Sequence, residues 1–70
     1  MADILMPMNG KVIGVKVEIG DTVAEDDELV VIEAMKMELP VVATEGGTVK
    51  EIKAAVGESY QVGDVLVVLG

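Results

Sequence analysis

The chain has 70 residues, a length that makes one small domain, and 51% of them are hydrophobic, which is enough for a core. Five Lys and Arg against thirteen Asp and Glu give a net charge of −8, which argues against nucleic acid and anionic membrane as partners because both require a basic face. Cysteine and histidine are absent, so disulfides, thiolate metal sites and the usual general bases are missing. We expect a single domain over residues 1–70 that is not itself an enzyme and has no metal site.

Targeting signals are also missing from this sequence. No apolar run approaches the roughly 20 residues that span a bilayer. No basic and then apolar segment of the signal-peptide type opens the chain. Together with the lack of cysteine, which fits a reducing compartment, this predicts a cytoplasmic protein without membrane insertion.

The first half of the chain has the period of β-structure. Apolar residues alternate with Gly14, Lys16 and Glu18 along one segment, which predicts a half-buried strand with this inward face: Ile13, Val15, Val17 and Ile19. Gly20-Asp21 is a turn signal. Residues 29–32 are a short β-branched apolar run, typical of a buried strand.

The next segment, residues 33–39, can be interpreted in two ways. Its residues, Glu-Ala-Met-Lys-Met-Glu-Leu, are good helix formers, and residues 26–39 could form one helix that stops before Pro40. It contains none of the residues that usually build tight turns. The alternative is an exposed turn with Lys36 between two methionines, an unusual surface composition.

The second half repeats the first with a shift of 37 residues. Gly10 to Ile32 then aligns with Gly47 to Leu69, and 8 of the 23 pairs are identical: Gly10/Gly47, Val12/Val49, Lys16/Lys53, Gly20/Gly57, Asp27/Asp64, Leu29/Leu66, Val30/Val67 and Val31/Val68. The chain is therefore interpreted as two copies of one unit, about 3–32 and 40–69. Residues 65–69 follow Gly63-Asp64 and cannot sensibly be helical, so their counterpart at 29–32 is expected to be a strand as well.

The duplication also locates Lys36. Residues 33–39 join the two copies, and their symmetry mate would join residue 70 to residue 3, where the chain is open. We therefore expect Lys36 on a β-hairpin at one end of the domain, with both termini at the opposite end. Short strands every 8–12 residues suggest a closed or flattened β-barrel.

Glu33-Ala34-Met35-Lys36-Met37-Glu38 resembles the attachment motif of biotinyl domains, the biotin carboxyl carrier domains of biotin-dependent carboxylases and decarboxylases. The resemblance extends to residues 6–10, to Gly20-Asp21 and to the glycine-rich second copy. Two positions depart from the usual family pattern: Asp26 stands where many members have Gly, and Asn9 where many have Pro. No insertion corresponds to the protruding thumb of some acetyl-CoA carboxylase carriers, which favours carriers of the propionyl-CoA carboxylase, pyruvate carboxylase or decarboxylase type.

The resemblance implies a fold, a cofactor and partners. The fold is an all-β, flattened eight-stranded β-barrel, or barrel-sandwich hybrid, of two halves related by a quasi-two-fold axis. A biotin protein ligase would join biotin to the Lys36 amine through an amide, and the biotin would act as a swinging arm between biotin carboxylase and a carboxyltransferase or decarboxylase. Further ligase contacts are expected among these neighbours: Glu33, Ala34, Met35, Met37 and Glu38.

Three questions stay open at this point. Met35 and Met37 either pack on the barrel end or offer an adaptable apolar surface to ligase and carboxylase. A lipoyl carrier domain of a 2-oxo acid dehydrogenase complex has a similar fold, although its lysine usually follows an acidic residue rather than a methionine. An unmodified interaction module is the remaining alternative.

Overall fold

A computed structural model describes residues 2–70, and this part of the chain is built from strands and turns. None of its residues belongs to a helix that could cross a membrane. The strands in chain order are β1 (Ala2–Leu5), β2 (Gly10–Val15), β3 (Thr22–Val23), β4 (Glu28–Ala34), β5 (Met37–Val42), β6 (Gly47–Ile52), β7 (Ser59–Tyr60) and β8 (Val65–Leu69). The helix considered for residues 26–39 is therefore replaced by the β4–β5 hairpin.

The eight strands form two four-stranded sheets that are copies of each other. One sheet has the order β1-β8-β6-β3 and the other β5-β4-β2-β7, with every neighbouring pair antiparallel. Adding four to each strand number, and counting on from β8 to β1, converts the first order into the second. The predicted all-β barrel sandwich of two quasi-two-fold related halves is confirmed.

Loop hydrogen bonds repeat with the same 37-residue shift. The Gly20 N–H donates to the Val49 carbonyl, and the Gly57 N–H donates to the Val12 carbonyl, both at 2.8 Å. Even the irregularities are duplicated, since register shifts occur between Val12 and Gly14 opposite β4 and between Val49 and Glu51 opposite β8. Because each loop is bonded to a strand of the other copy, neither half is complete alone.

The core lies between the two sheets and is wholly apolar. Its largest fully buried side chains come from both copies: Ile4, Met6, Val12, Leu29, Val30, Ile32, Val49, Leu66, Val67 and Leu69. The predicted buried runs at 29–32 and 65–69 supply most of them. Burial of aliphatic side chains, at about 25 cal/mol per Å² of apolar surface, is thus the main stabilising contribution.

The predicted inward face of residues 13–19 is partly wrong. The strand ends at Val15, and the register shift after Val12 puts Val12 rather than Ile13 in the core. Val15 and Val17 pack against the core as expected. Ile19 is 67% exposed because it lies in the turn beyond the strand. The alternation of apolar and polar residues in the sequence thus continues past the end of β2.

The chain crosses the molecule between the Lys36 hairpin and the termini. Gly10, at the start of β2, lies against the hairpin at Glu33 and Ala34. Twelve residues later β3 pairs with Gly47–Thr48, and Thr48 exchanges backbone hydrogen bonds with Gly70. Strand β1 begins at Ala2, opposite Leu69, and leads to residues 7–9, which lie beside Met35. The hairpin and residues 2 and 70 are therefore separated along the molecule, whose long axis is 30 Å, as the duplication predicts.

Candidate functional site: the lysine turn

Lys36 lies in a two-residue turn between β4 and β5. Ala34 and Met37 form the last pair of the hairpin, which leaves Met35 and Lys36 as its central residues. Their φ angles are +53° and +63°. Positive φ at both central positions is the signature of a type I′ turn, whose twist matches that of the flanking strands.

This turn has an unfavourable sequence for its backbone. Type I′ turns normally contain Asn-Gly or Asp-Gly, because side chains with a Cβ are disfavoured in the left-handed region by roughly 1–2 kcal/mol per residue. Such strain persists only where the surrounding structure determines the conformation. The pairing of β4 with β5 provides that constraint. The turn can therefore form although residues 33–39 contain none of the usual turn residues.

Gly10 packs closely against the last residues of β4, just before the turn. A Cβ built on Gly10 would lie 2.7 Å from the Glu33 carbonyl oxygen and 3.2 Å from the Ala34 Cβ. Only glycine permits this close approach. Ala34 itself is 4% exposed, so its side chain is covered by its neighbours, and we do not propose it as a ligase contact.

The Lys36 side chain is exposed, and its amine has no ion-pair or hydrogen-bond partner among residues 2–70. The two ion pairs in this part of the chain are elsewhere, Lys16–Glu28 and Lys53–Glu51. An exposed amine at the tip of a hairpin is accessible to another protein. The arrangement therefore fits an amine that is acylated and then carries its acyl group outward.

The flanking methionines are on the surface. Met35 is 86% exposed and Met37 is 59% exposed, so packing on the barrel end does not account for Met35. Thioether side chains are flexible and polarizable, and exposed ones are typical of adaptable binding surfaces. Both residues are available to a protein that approaches Lys36.

Glu33 and Glu38 face each other one pair behind Met37. They are directly opposite across β4 and β5, and both are exposed. Like charges at such a pair are destabilising by a few tenths of a kcal/mol to about 1 kcal/mol. The pair adds local negative charge next to the turn, which is complementary to a basic partner surface.

The sequence interpretation missed a second group of side chains beside Met35. Residues from three segments line a shallow pocket of about 420 Å³, here called the Met35 pocket: Pro7, Met8, Asn9, Met35 and Val62. Val62 is distant in sequence from the motif, and no periodicity links it to Lys36. Only the duplication could have located it, by placing the turn at 61–64 at the lysine end.

A barrel sandwich that presents an exposed lysine on a strained hairpin turn is the arrangement of a class of protein, the carrier domains. The model of the biotin/lipoyl family, described as biotin-requiring enzyme, matches residues 2–69. The chain belongs to this family.

Curated relatives and solved structures agree with this membership. The chain is 43% identical over 63 residues to the biotin carboxyl carrier protein of Streptococcus mutans, covering 90% of this chain and 48% of that protein. It is 48% identical over 63 residues to the human mitochondrial propionyl-CoA carboxylase alpha chain, covering 90% and 9%. The crystal structure of Kluyveromyces lactis urea carboxylase superposes with a TM-score of 0.93 at 30% identity, covering 99% of this chain and 6% of that one. The chain thus spans about half or less of these relatives.

Proposed function

We propose that this chain is the biotin carrier domain of a biotin-dependent carboxylase or related enzyme, with biotin attached through an amide to Lys36. The family and the carboxyl carrier relatives support biotin as the cofactor. The observation that carries the assignment of the residue is geometric: Lys36 is the lysine at the centre of the hairpin turn, exposed and without a partner in residues 2–70.

The residues present fit the attached group. Amide formation joins Lys36 Nζ to the carboxyl carbon of biotin, while Nζ loses a proton and the activated carboxyl loses its leaving group. The chain has no histidine to act as a base. In this scheme the ligase therefore supplies the base that accepts the Nζ proton, and the domain contributes the position of the amine. The attached biotin supplies the chemistry of carrying a carboxyl group.

The partners follow from this role. We propose a biotin protein ligase, which recognises Met35, Met37 and the Glu33–Glu38 pair, and separate biotin carboxylase and carboxyltransferase or decarboxylase sites between which the domain moves. A tether on a compact domain raises the effective concentration of the carried group at both sites. The domain itself is non-catalytic in this scheme, and its compartment is the cytoplasm.

Intact mass spectrometry tests the attachment. The protein is incubated with a biotin protein ligase, ATP and biotin, and we expect a gain of one biotinyl group together with binding to streptavidin. Lys36→Arg keeps the charge and should gain none, although the four other lysines are unchanged. A wild-type protein that stays unmodified, or a modified Lys36→Arg, contradicts the proposal. A parallel incubation with a lipoate ligase distinguishes a lipoyl carrier, and modification by neither ligase indicates an interaction module.

A further inference from the structure

The side chains of the Met35 pocket differ in polarity from those at the symmetry-related position. With the 37-residue shift, Pro7, Met8 and Asn9 correspond to Thr44, Glu45 and Gly46, and Val62 corresponds to Glu25. All four counterparts are exposed. Three of the four pairs are therefore apolar at the lysine end of the molecule and polar or acidic at the terminal end, while Asn9 is replaced by Gly46.

The backbones at the two positions are equivalent. At the lysine end, the Met6 N–H donates to the Asp64 carbonyl at 2.8 Å, and the Gly63 N–H donates to the Met6 carbonyl at 3.0 Å. At the terminal end, Ala43 forms the same two bonds with Asp27 and Asp26, each at 2.9 Å. Because one scaffold accepts both sets of side chains, the backbone does not require Pro7 and Val62 to be apolar, whereas Met8 also packs against the core.

Asn9 adds a polar group of defined orientation to this apolar surface. Its Oδ1 accepts a hydrogen bond from the Val62 N–H at 2.8 Å, which ties the two segments of the pocket together. The Nδ2 amide then remains a donor without a partner in the part of the chain that the structure describes. The pocket thus combines apolar walls with one oriented donor, the composition of a small-molecule site.

We propose that the Met35 pocket is a docking site for the biotin group carried by Lys36. The pocket contains Met35, the chain neighbour of the attachment residue, so the occupant is tethered beside it. The apolar parts of biotin would lie on Met8, Met35 and Val62, and the carbonyl of its ureido ring would accept a hydrogen bond from Asn9 Nδ2. This inference rests on the proposed function.

Docking would give the carrier a resting state in which the ring is partly withdrawn from water. Tethering makes the contact intramolecular, so a shallow site can be occupied at any protein concentration. Release then requires only that a partner surface competes for the same side chains. The exposed Met35 allows this, since its flexible side chain can contact the ring in one state and a protein in the next.

NMR spectroscopy of the unmodified and biotinylated protein tests the docking. We expect biotinylation to shift the backbone amides of Met8, Asn9 and Val62 and the Asn9 side-chain amide. We also expect nuclear Overhauser effects between the biotin ring protons and the methyl groups of Met8 and Met35. Shifts confined to residues 35–37, without these effects, would overturn the proposal. Intact mass is measured first: no biotin in the protein defeats the proposed function as well, whereas one biotin without the contacts defeats the docking alone.

Variants that copy the symmetry-related position sharpen the test. Val62→Glu introduces the residue found at position 25, which this scaffold already accepts, and it should abolish the shifts at Met8 and Asn9 while one biotinyl group is still gained. Met8→Glu, which copies position 45, should abolish the shifts at Asn9 and Val62 while one biotinyl group is still gained. Glu25→Val is the matched control at the other end and should leave every shift change intact. Persistence of the shifts in both glutamate variants refutes the site.

Discussion

At the level of single residues, the roles of Met35 and Met37 can be tested directly by substitution. They are 86% and 59% exposed, so they contribute little to folding and are available for recognition. Their hydrophobic surface at the tip would be buried only in a complex. Their contribution to the stability of the free protein can therefore be measured separately from their contribution to binding a partner.

Replacing Met35 and Met37 together by Ala should slow biotinylation about tenfold, because a loss of about 1.4 kcal/mol for the pair corresponds to a factor of ten, and only a minority of interface residues cost more than about 1 kcal/mol when truncated. Stability should change by less than about 0.5 kcal/mol, as for most surface substitutions. Ligase kinetics followed by intact mass, with urea denaturation, checks both. Ile19→Ala removes an equally exposed apolar residue at the other end and serves as the control. Equal loss of stability and of modification would indicate packing instead.

The left-handed backbone of the turn leads to a second prediction about individual residues. Met35→Asn should raise the free energy of unfolding by about 0.5–1 kcal/mol, since asparagine tolerates positive φ better than methionine. Asp26→Gly should have a similar effect, because Asp26 has a φ of +73° and corresponds to Gly63. Chemical denaturation measures both changes. A destabilised Met35→Asn protein would show that the Met35 side chain, despite its exposure, stabilises the turn.

Among the strands, the β4–β5 hairpin depends on the start of β2. Ala34, next to the turn, is buried, and Gly10 is packed directly against the backbone of Glu33. The position of Lys36 is thus set by a contact between strands rather than by the hairpin alone. This connection keeps the amine in one place, as a substrate of another enzyme requires.

Gly10→Ala should displace the hairpin, because its Cβ would lie 2.7 Å from the Glu33 carbonyl oxygen. Overpacking of this kind typically costs about 1–3 kcal/mol, and biotinylation should slow as well. Gly14→Ala is the matched control in the same strand, since its Cβ would meet only the Val31 Cβ at 3.9 Å. Thermal denaturation and ligase kinetics compare the two. Equal effects of the two substitutions would show that the Gly10 contact has no special importance.

For the molecule as a whole, charge opposes compaction. Thirteen acidic and five basic side chains occupy a body of 30 × 18 × 18 Å. The two ion pairs among the described residues are long, 3.8 and 3.7 Å, and about half exposed, so they contribute little. Stability depends on the apolar core formed by both copies.

Adding NaCl should therefore stabilise the protein. At about 0.01 M ionic strength the Debye length is about 30 Å, as long as the molecule, and at about 0.15 M it is about 8 Å. Screening should weaken repulsion more than it weakens the two exposed ion pairs, so the urea midpoint should rise over this range. Glu25→Gln with Glu45→Gln removes two negative charges and should reduce the dependence on salt. A midpoint that falls with salt would show that ion pairs dominate.

The duplication and its consequences could be predicted from the amino-acid sequence. A shift of 37 residues predicted two equivalent halves, assigned the runs at 29–32 and 65–69 to buried strands, and placed Lys36 at the junction. Gly20, Gly57 and Gly63 all have positive φ, which glycine adopts without strain. These features depend on local pattern and on repetition, and both can be recognised along the chain.

The presentation of Lys36, in contrast, depends on contacts between distant segments. The left-handed turn at Met35 and Lys36 follows from the register of β4 and β5, against the preference of its residues. The Met35 pocket joins Asn9 to Val62, 53 residues apart, by a contact between the two copies. The end of β2 at Val15 follows from a register shift that its alternating sequence conceals. In each case contacts between residues distant in sequence override or supplement the conformational preference of the local residues. A sequence pattern indicates only that local preference.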